Sequence, residues 1–253
     1  MEMAEVVSRL CEARVRRQSA LKMCLRINNN CLAGIRRSLG FQTGDDEEAR
    51  EKVCAAAQKI KTAIENQKAI PKEWEDHVPD TMWSLVAITT ESRAPQEAYL
   101  RAVSKEMEQL AKELPVWEWV EAVRGVGALG LAGIVGEAGD LSNYANPGKL
   151  WKRFGLAPYE GKAYATLPKE GGLAADQWEE AGYCPRRRSV MFNVGEALIK
   201  SNGDGPYKGF YDARKAYELK RDPEMTKLHA HNRAKRYMEK RFLRDLWKAW
   251  TSK

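Results

Sequence analysis

In the stretch "RGVGALGLAGIVGEAGD", residues 124–140, Gly125, Gly127 and Gly130 fall at the G-x-G-x-x-G spacing. Glycines at that spacing let backbone N–H groups approach a phosphate at a helix N-terminus. A dinucleotide pocket also needs a buried strand before the glycines and an acidic residue about twenty positions after them. Neither is present. Val116, Trp119, Val120 and Val123 recur at helical spacing with Glu118 and Glu121 on the other side, and the later segment "KLWKRFGL" is cationic. A helix–hairpin–helix fits the same residues better. In that reading Val126 points inward, and Arg124, Gly125 and Gly127 offer the turn to one phosphate of a nucleic-acid backbone without reading bases. Gly130, Gly133 and Gly136 then recur every three residues along the second helix. Each costs about 1 kcal/mol of helix stability relative to alanine, a cost that close helix packing offsets. A turn that only packs two helices remains the alternative.

The second group of chemically capable residues is cationic. Residues 183–253 carry 18 basic against 8 acidic groups, whereas residues 1–115 balance at 18 each and residues 116–182 hold 6 against 9. Such asymmetry points to a polyanionic partner, with a solvated basic surface as the alternative. Arg236, Lys240, Arg244 and Lys248 repeat every four residues opposite an apolar stripe of Ala234, Met238, Phe242 and Leu246. One stripe suits a core and the other a phosphate chain. Arg186, Arg187 and Arg188 open an earlier predicted helix, where they oppose its dipole, a placement that suggests phosphate contact. Lys149, Lys152 and Arg153 add a short cationic helix. Tyr207, Phe210, Tyr211 and Tyr217 interleave with Lys208, Arg214 and Lys215, a mixture compatible with base stacking but, at helical spacing, more in keeping with a core. His229 and His231 are two apart and make a poor metal pair, and His77 stands alone. The acidic run Asp45 to Glu48 reads as a helix start. No cofactor, no metal and no catalytic residue is expected.

The elements that position these residues are helical throughout. A long helix is predicted over about 4–39, broken by "GFQTGDDEE", with Asp45 and Glu48 at capping-box spacing to start a second over 45–68. Pro79 and Pro95 are placed at first helical turns, and Pro115 closes the second of those helices. Pro147 follows a cap residue, and Pro185, Pro206 and Pro223 open helices of about 185–200, 206–221 and 223–250. Residues 155–184, rich in Gly and Pro, read as a short hairpin or a loop. No alternating strand series is present. The expected class is all-α: long, coiled-coil-like N-terminal helices over 1–115, for dimerisation or a partner, then a helix–hairpin–helix-containing helical domain over 116–253. The five cysteines, Cys11, Cys24, Cys31, Cys54 and Cys184, form no C-x-x-C pair and read as free thiols in a reducing cytosol. "MEMAEVVSRL" has no signal-peptide pattern, and no apolar run is long enough to span a bilayer. A cytoplasmic protein with no membrane partner is expected.

Downstream of the hairpin, "GEAGDLSNYANPGKLWKRFGLAPY" resembles the C-terminal transposase domain of the bridge-RNA-guided insertion-sequence recombinases, the IS one-ten type. The matching features are Gly139-Asp140 after the hairpin, the helix holding Lys149 to Phe154, and Gly155-Leu156-Ala157-Pro158. "RRRSVMFNVGEALIK", "PYKGFYDARKAYELKR" and "TKLHAHNRAKRYMEKRFLRDLW" are similar to the closing helices of that domain, in order and spacing. The resemblance implies a helical fold that binds DNA. It does not carry the activity across. The family's RuvC-like domain with its metal-binding carboxylates has no counterpart, and no serine nucleophile lies between Ser142 and Ser189. Tyr159 and Tyr164 remain as a remote alternative nucleophile, and Lys162 does not substitute simply. The reading is a transposase-derived protein that binds nucleic acid, DNA in preference to RNA, as a homodimer through its N-terminal helices. The alternatives are a strand-transfer recombinase or subunit, and an interaction scaffold.

Overall fold

A computed structural model describes residues 2–44, 46–158, 182–201 and 205–252. Every regular element among them is helical, as the residue pattern requires. In chain order these are α1 (Met3–Ser38), α2 (Glu47–Glu65), α3 (Asp80–Lys112), α4 (Trp117–Glu121), α5 (Ala128–Ala138), α6 (Pro147–Arg153), α7 (Pro185–Lys200), α8 (Pro206–Arg221) and α9 (Lys227–Thr251). Short 3-10 turns cover Lys72–His77 and Leu141–Asn143. Of the segment 155–184, expected as a short hairpin or a loop, residues 159–181 lie outside the described residues, and Tyr159, Lys162 and Tyr164 with them.

The helix starts follow their local chemistry. Pro147, Pro185 and Pro206 each occupy a first helical position, where the missing N–H has no partner to lose. Asp46 caps α2 by accepting from the Ala49 N–H at 2.7 Å, while Asp45 lies outside the described residues. Two expectations need correction. Pro95 does not begin a helix but lies inside α3, where both Pro95 and Glu91, whose carbonyl loses its helical donor, are exposed. The last helix begins at Lys227 rather than 223, because the Thr226 hydroxyl caps the His229 N–H and Pro223 sits in the preceding turn.

The chain forms two compact units, one of Met1–Val15 with Ser104–Lys253, the other of Arg16–Val103. The second unit buries Cys31, Ile35, Ala57, Ile60, Met82 and Val86, and pairs the buried Lys61 with Glu65 at 2.7 Å. The first unit is organised about α9, which packs against α6, α7, α8 and the Leu141–Asn143 turn. The predicted apolar stripe of Ala234, Met238, Phe242 and Leu246 is buried to the last residue. Three indoles tie the surrounding elements down. Trp151 donates to the Lys240 carbonyl at 3.1 Å, Trp247 to the Tyr144 carbonyl at 2.9 Å, and Trp250 to the Asp140 carboxylate at 2.8 Å. All five cysteines are free thiols. Among the described residues no helix is long and apolar enough to cross a membrane.

Candidate nucleic-acid interface

The hairpin forms where the sequence places it, with a shorter first helix than expected. Val116 and Val120 are buried along α4, and the chain turns at Ala122 to enter α5 at Gly127. Val126 is buried, as a core-directed turn residue should be, while Arg124, Gly125 and Gly127 face solvent. The two glycines do different work. Gly125 has φ +93°, and a Cβ there would stand 2.8 Å from the Ala197 carbonyl of α7, so any side chain is both strained and obstructed. Gly127 has an extended conformation with open space where its Cβ would be. No side chain caps the first N–H groups of α5. Gly130 and Gly133 let Val194 and Val190 of α7 close in, and Gly136 admits Arg14 and the Leu10 carbonyl of α1.

Arg124 lines a cavity of about 490 Å³ with Trp119, Leu198, Tyr207 and Lys208. Lys208 is held there by Asp212 at 2.5 Å. Thus Arg124 and Lys208, far apart in sequence, share one hollow.

A second hollow, of about 520 Å³, brings together Lys149, Lys152, Arg153 and Arg187 beside Asn143 and Tyr144. Two of its arginines are anchored by Glu137, a carboxylate only 2% exposed. Arg14 Nε lies 2.9 Å from Glu137 Oε1, Arg186 Nε 3.0 Å from the same oxygen, and Arg187 Nε 3.8 Å from Oε2. Arg153 donates from Nε and Nη2 to the Glu137 backbone carbonyl at 3.1 and 3.0 Å. Lys149 and Lys152 stay exposed on the rim. The cationic start of α7 therefore has a structural cause: Arg186 and Arg187 serve Glu137, and Arg188 serves the fully buried Glu239 at 3.0 Å. Arg186 nevertheless remains 45% exposed.

The third cationic cluster straddles α8 and α9. Arg214, Arg221 and Arg233 surround the buried Glu218 at 2.5, 2.9 and 3.1 Å. Arg236, Tyr237 and Lys240 complete the walls of a cup of about 250 Å³. The stripe predicted to face away from the core is thus half-buried in its first part. Further along, Arg244 pairs with Asp245 at 2.8 Å and only Lys248 is fully exposed. The sequence reading missed Arg14, Arg221 and Arg233. The available signal for Arg221 was Glu218, four residues after Arg214 and three before Arg221 on one predicted helix.

Electrostatics distinguish the acidic partners. Burial pushes the Glu239 carboxyl up to about 7, against the charges of Arg188, Lys235 and Arg236, which pull it down. For Glu218, burial acts upward, but hydrogen bonds from Arg233 and Arg214 outweigh it and hold the carboxyl below its ordinary range. Asp140 follows the same pattern, with Ser142 and Trp250 as the donors. The aromatic residues divide. Tyr207 and Tyr211 are core, whereas Tyr217 is exposed beneath the Arg214 guanidinium, 5.0 Å from its ring centroid. The His231 Nδ1 hydrogen-bonds the Tyr211 hydroxyl at 2.7 Å, and His229 is exposed. Among the described residues no three His, Cys, Asp or Glu side chains gather in a way that holds a metal ion.

No protein-family model, curated protein or solved structure matches the chain.

Proposed function

We propose that the protein binds nucleic acid through its phosphate backbone, as a transposase-derived module without a catalytic centre of its own. The observation that carries the reading is the hollow where Lys149, Lys152, Arg153 and Arg187 converge. Its rim lysines have no structural duty of the kind that occupies the arginines. Glu137 holds Arg187 through its carboxylate and Arg153 through its backbone carbonyl, so phosphate groups meet two preorganised lining arginines. The hairpin at Arg124, Gly125 and Gly127 adds a second contact, with uncapped N–H groups at the start of α5. Duplex or junction DNA is the ligand in preference to RNA. The absence of a serine between Ser142 and Ser189 argues against the strand-transfer activity of the family that residues 116–250 resemble. Dimerisation is assigned to the N-terminal helices, where Met23, Leu25, Trp83 and Ile88 are exposed.

Fluorescence anisotropy against single-stranded DNA, duplex DNA, a four-way junction and structured RNA, each across a salt series, tests the reading. Log affinity should fall linearly with log salt. A covalent protein–DNA adduct, or Mg²⁺-dependent cleavage, would replace it with a recombinase; no salt-sensitive binding to any polynucleotide would leave a scaffold.

A further inference from the structure

The cup between α8 and α9 carries more positive charge than its architecture uses. Five cations, Arg214, Arg221, Arg233, Arg236 and Lys240, line it with a single carboxylate, Glu218. Glu218 is 1% exposed and its two oxygens hold three guanidinium groups, which orders Arg214, Arg221 and Arg233 around one point. Arg236 and Lys240 form no ion pair among the described residues, although the charge of buried Glu239 reaches Arg236 and the Lys240 ammonium lies 5.5 Å from the Trp151 ring centroid. Both are half-buried. Burial first, and then the charge of a neighbouring arginine, lowers the proton affinity of each, Arg188 acting on Arg236 and Arg236 on Lys240. Arg214 Nε is buried without a hydrogen-bond acceptor. A structural ion-pair network would balance its charges; this one sets five cations against one lining carboxylate around a concave space.

We infer that this cup is a receptor for a phosphomonoester dianion, the terminal phosphate of a nucleic-acid strand. A cavity of about 250 Å³ has room for a phosphate group. A terminal phosphate carries about −1.5 to −2 charge at neutral pH against −1 for an internal diester, and its three free oxygens suit several guanidinium forks at once. Glu218 acts as a positioning residue that fixes the forks; Arg236 and Lys240 are the cations the ligand would neutralise. The identification of the strand rests on the nucleic-acid reading above, whereas the preference for a dianion rests on the cup alone.

The test compares one oligonucleotide carrying a 5′-phosphate, a 3′-phosphate or hydroxyl ends, by anisotropy at fixed salt, together with thermal shift in inorganic phosphate. A phosphorylated end should tighten binding about tenfold, a gain of roughly 1.4 kcal/mol. R236Q/K240M should remove that gain, so that the variant binds phosphorylated and hydroxyl-ended strands equally, whatever its affinity for the strand itself. Which phosphorylated end gains identifies the terminus. Equal binding of phosphorylated and hydroxyl-ended strands overturns the receptor while leaving the nucleic-acid reading intact. Phosphate-dependent stabilisation, lost in R236Q/K240M, with no binding of any oligonucleotide supports the receptor and overturns the nucleic-acid reading. Neither binding nor stabilisation overturns both.

Discussion

Arg14, near the start of the chain, places its Nε 2.9 Å from Oε1 of Glu137, 123 positions later, and both side chains are nearly sealed from solvent. Arg186 shares the same oxygen at 3.0 Å. A buried carboxylate serving several arginines is worth most when one asks what its removal leaves behind. Glu137→Gln removes the buried carboxylate that Arg14, at 7% exposure, faces. Breaking a buried pair from one side costs about 3–5 kcal/mol, so the unfolding midpoint of this variant should drop by roughly 5–15 °C. Arg186→Ala removes a partner that is 45% exposed and should cost no more than about 1 kcal/mol. Thermal unfolding of the two variants by circular dichroism separates a hub from a set of equivalent surface pairs; equal losses would contradict the hub.

Glu239 makes stability depend on pH. Its carboxyl is fully buried and pushed up to about 7, so between its ordinary value and that one the folded state holds a proton that the unfolded chain releases. The folded state therefore gains its full contribution from this group at acidic pH and loses it as pH rises through about 7. The loss across that window is on the order of 3 kcal/mol. Glu239→Gln, which mimics the protonated form, should flatten the dependence, matching the native protein near pH 5 and exceeding it near pH 8. Denaturant titrations of both proteins at the two pH values measure the difference directly. A variant that loses stability at high pH would show that the charged Glu239–Arg188 pair, at 3.0 Å, is net stabilising instead.

The hairpin glycines separate folding from binding. Gly125→Ala forces a side chain into φ +93° and against the Ala197 carbonyl 2.8 Å away, so it should destabilise the protein by roughly 1–3 kcal/mol. Gly127→Val meets nothing within 4 Å and keeps an extended backbone, so the unfolding midpoint should move little. Its branched side chain does cover the uncapped N–H groups of α5. Nucleic-acid affinity should fall by about tenfold in Gly127→Val at unchanged stability if one phosphate contact is made there. Unchanged affinity would reassign the hairpin to packing alone.

How much of this was legible follows from where the information resides. The apolar repeat Ala234, Met238, Phe242 and Leu246 predicted its own burial because a one-dimensional period maps onto one helix face. The prolines at 147, 185 and 206 marked helix starts for a reason local to the backbone. Pro95 failed the same rule because an exposed position within a long helix tolerates one lost hydrogen bond. The arginines at 186–188 were the hardest to read. Their unfavourable position at a helix start was visible, but its cause is Glu137 on α5 and Glu239 on α9, neighbours in space with no sequence signature linking them to α7. Arg14 carries the same lesson over a longer span, since nothing in the first helix marks it as the partner of a residue more than a hundred positions away.

That distinction decides which cations should be mutated to count phosphate contacts. Replacing Arg186, Arg187 and Arg188 together removes counter-charges from two buried carboxylates, so a loss of binding would be confounded with a loss of fold. Lys149 and Lys152 are exposed on the rim of the same hollow, and among the described residues neither forms an ion pair. Lys149→Ala/Lys152→Ala should leave the unfolding midpoint within a degree or two, since surface substitutions away from special features change stability by about 0.5 kcal/mol or less. The slope of log affinity against log salt for duplex DNA should then become shallower by about 1.8, close to 0.9 for each lost phosphate contact. A slope that stays the same, measured on protein shown to be folded, removes these lysines from the interface. In that case the binding surface would have to be sought around Arg124 and Lys208, the other hollow in which distant cations meet.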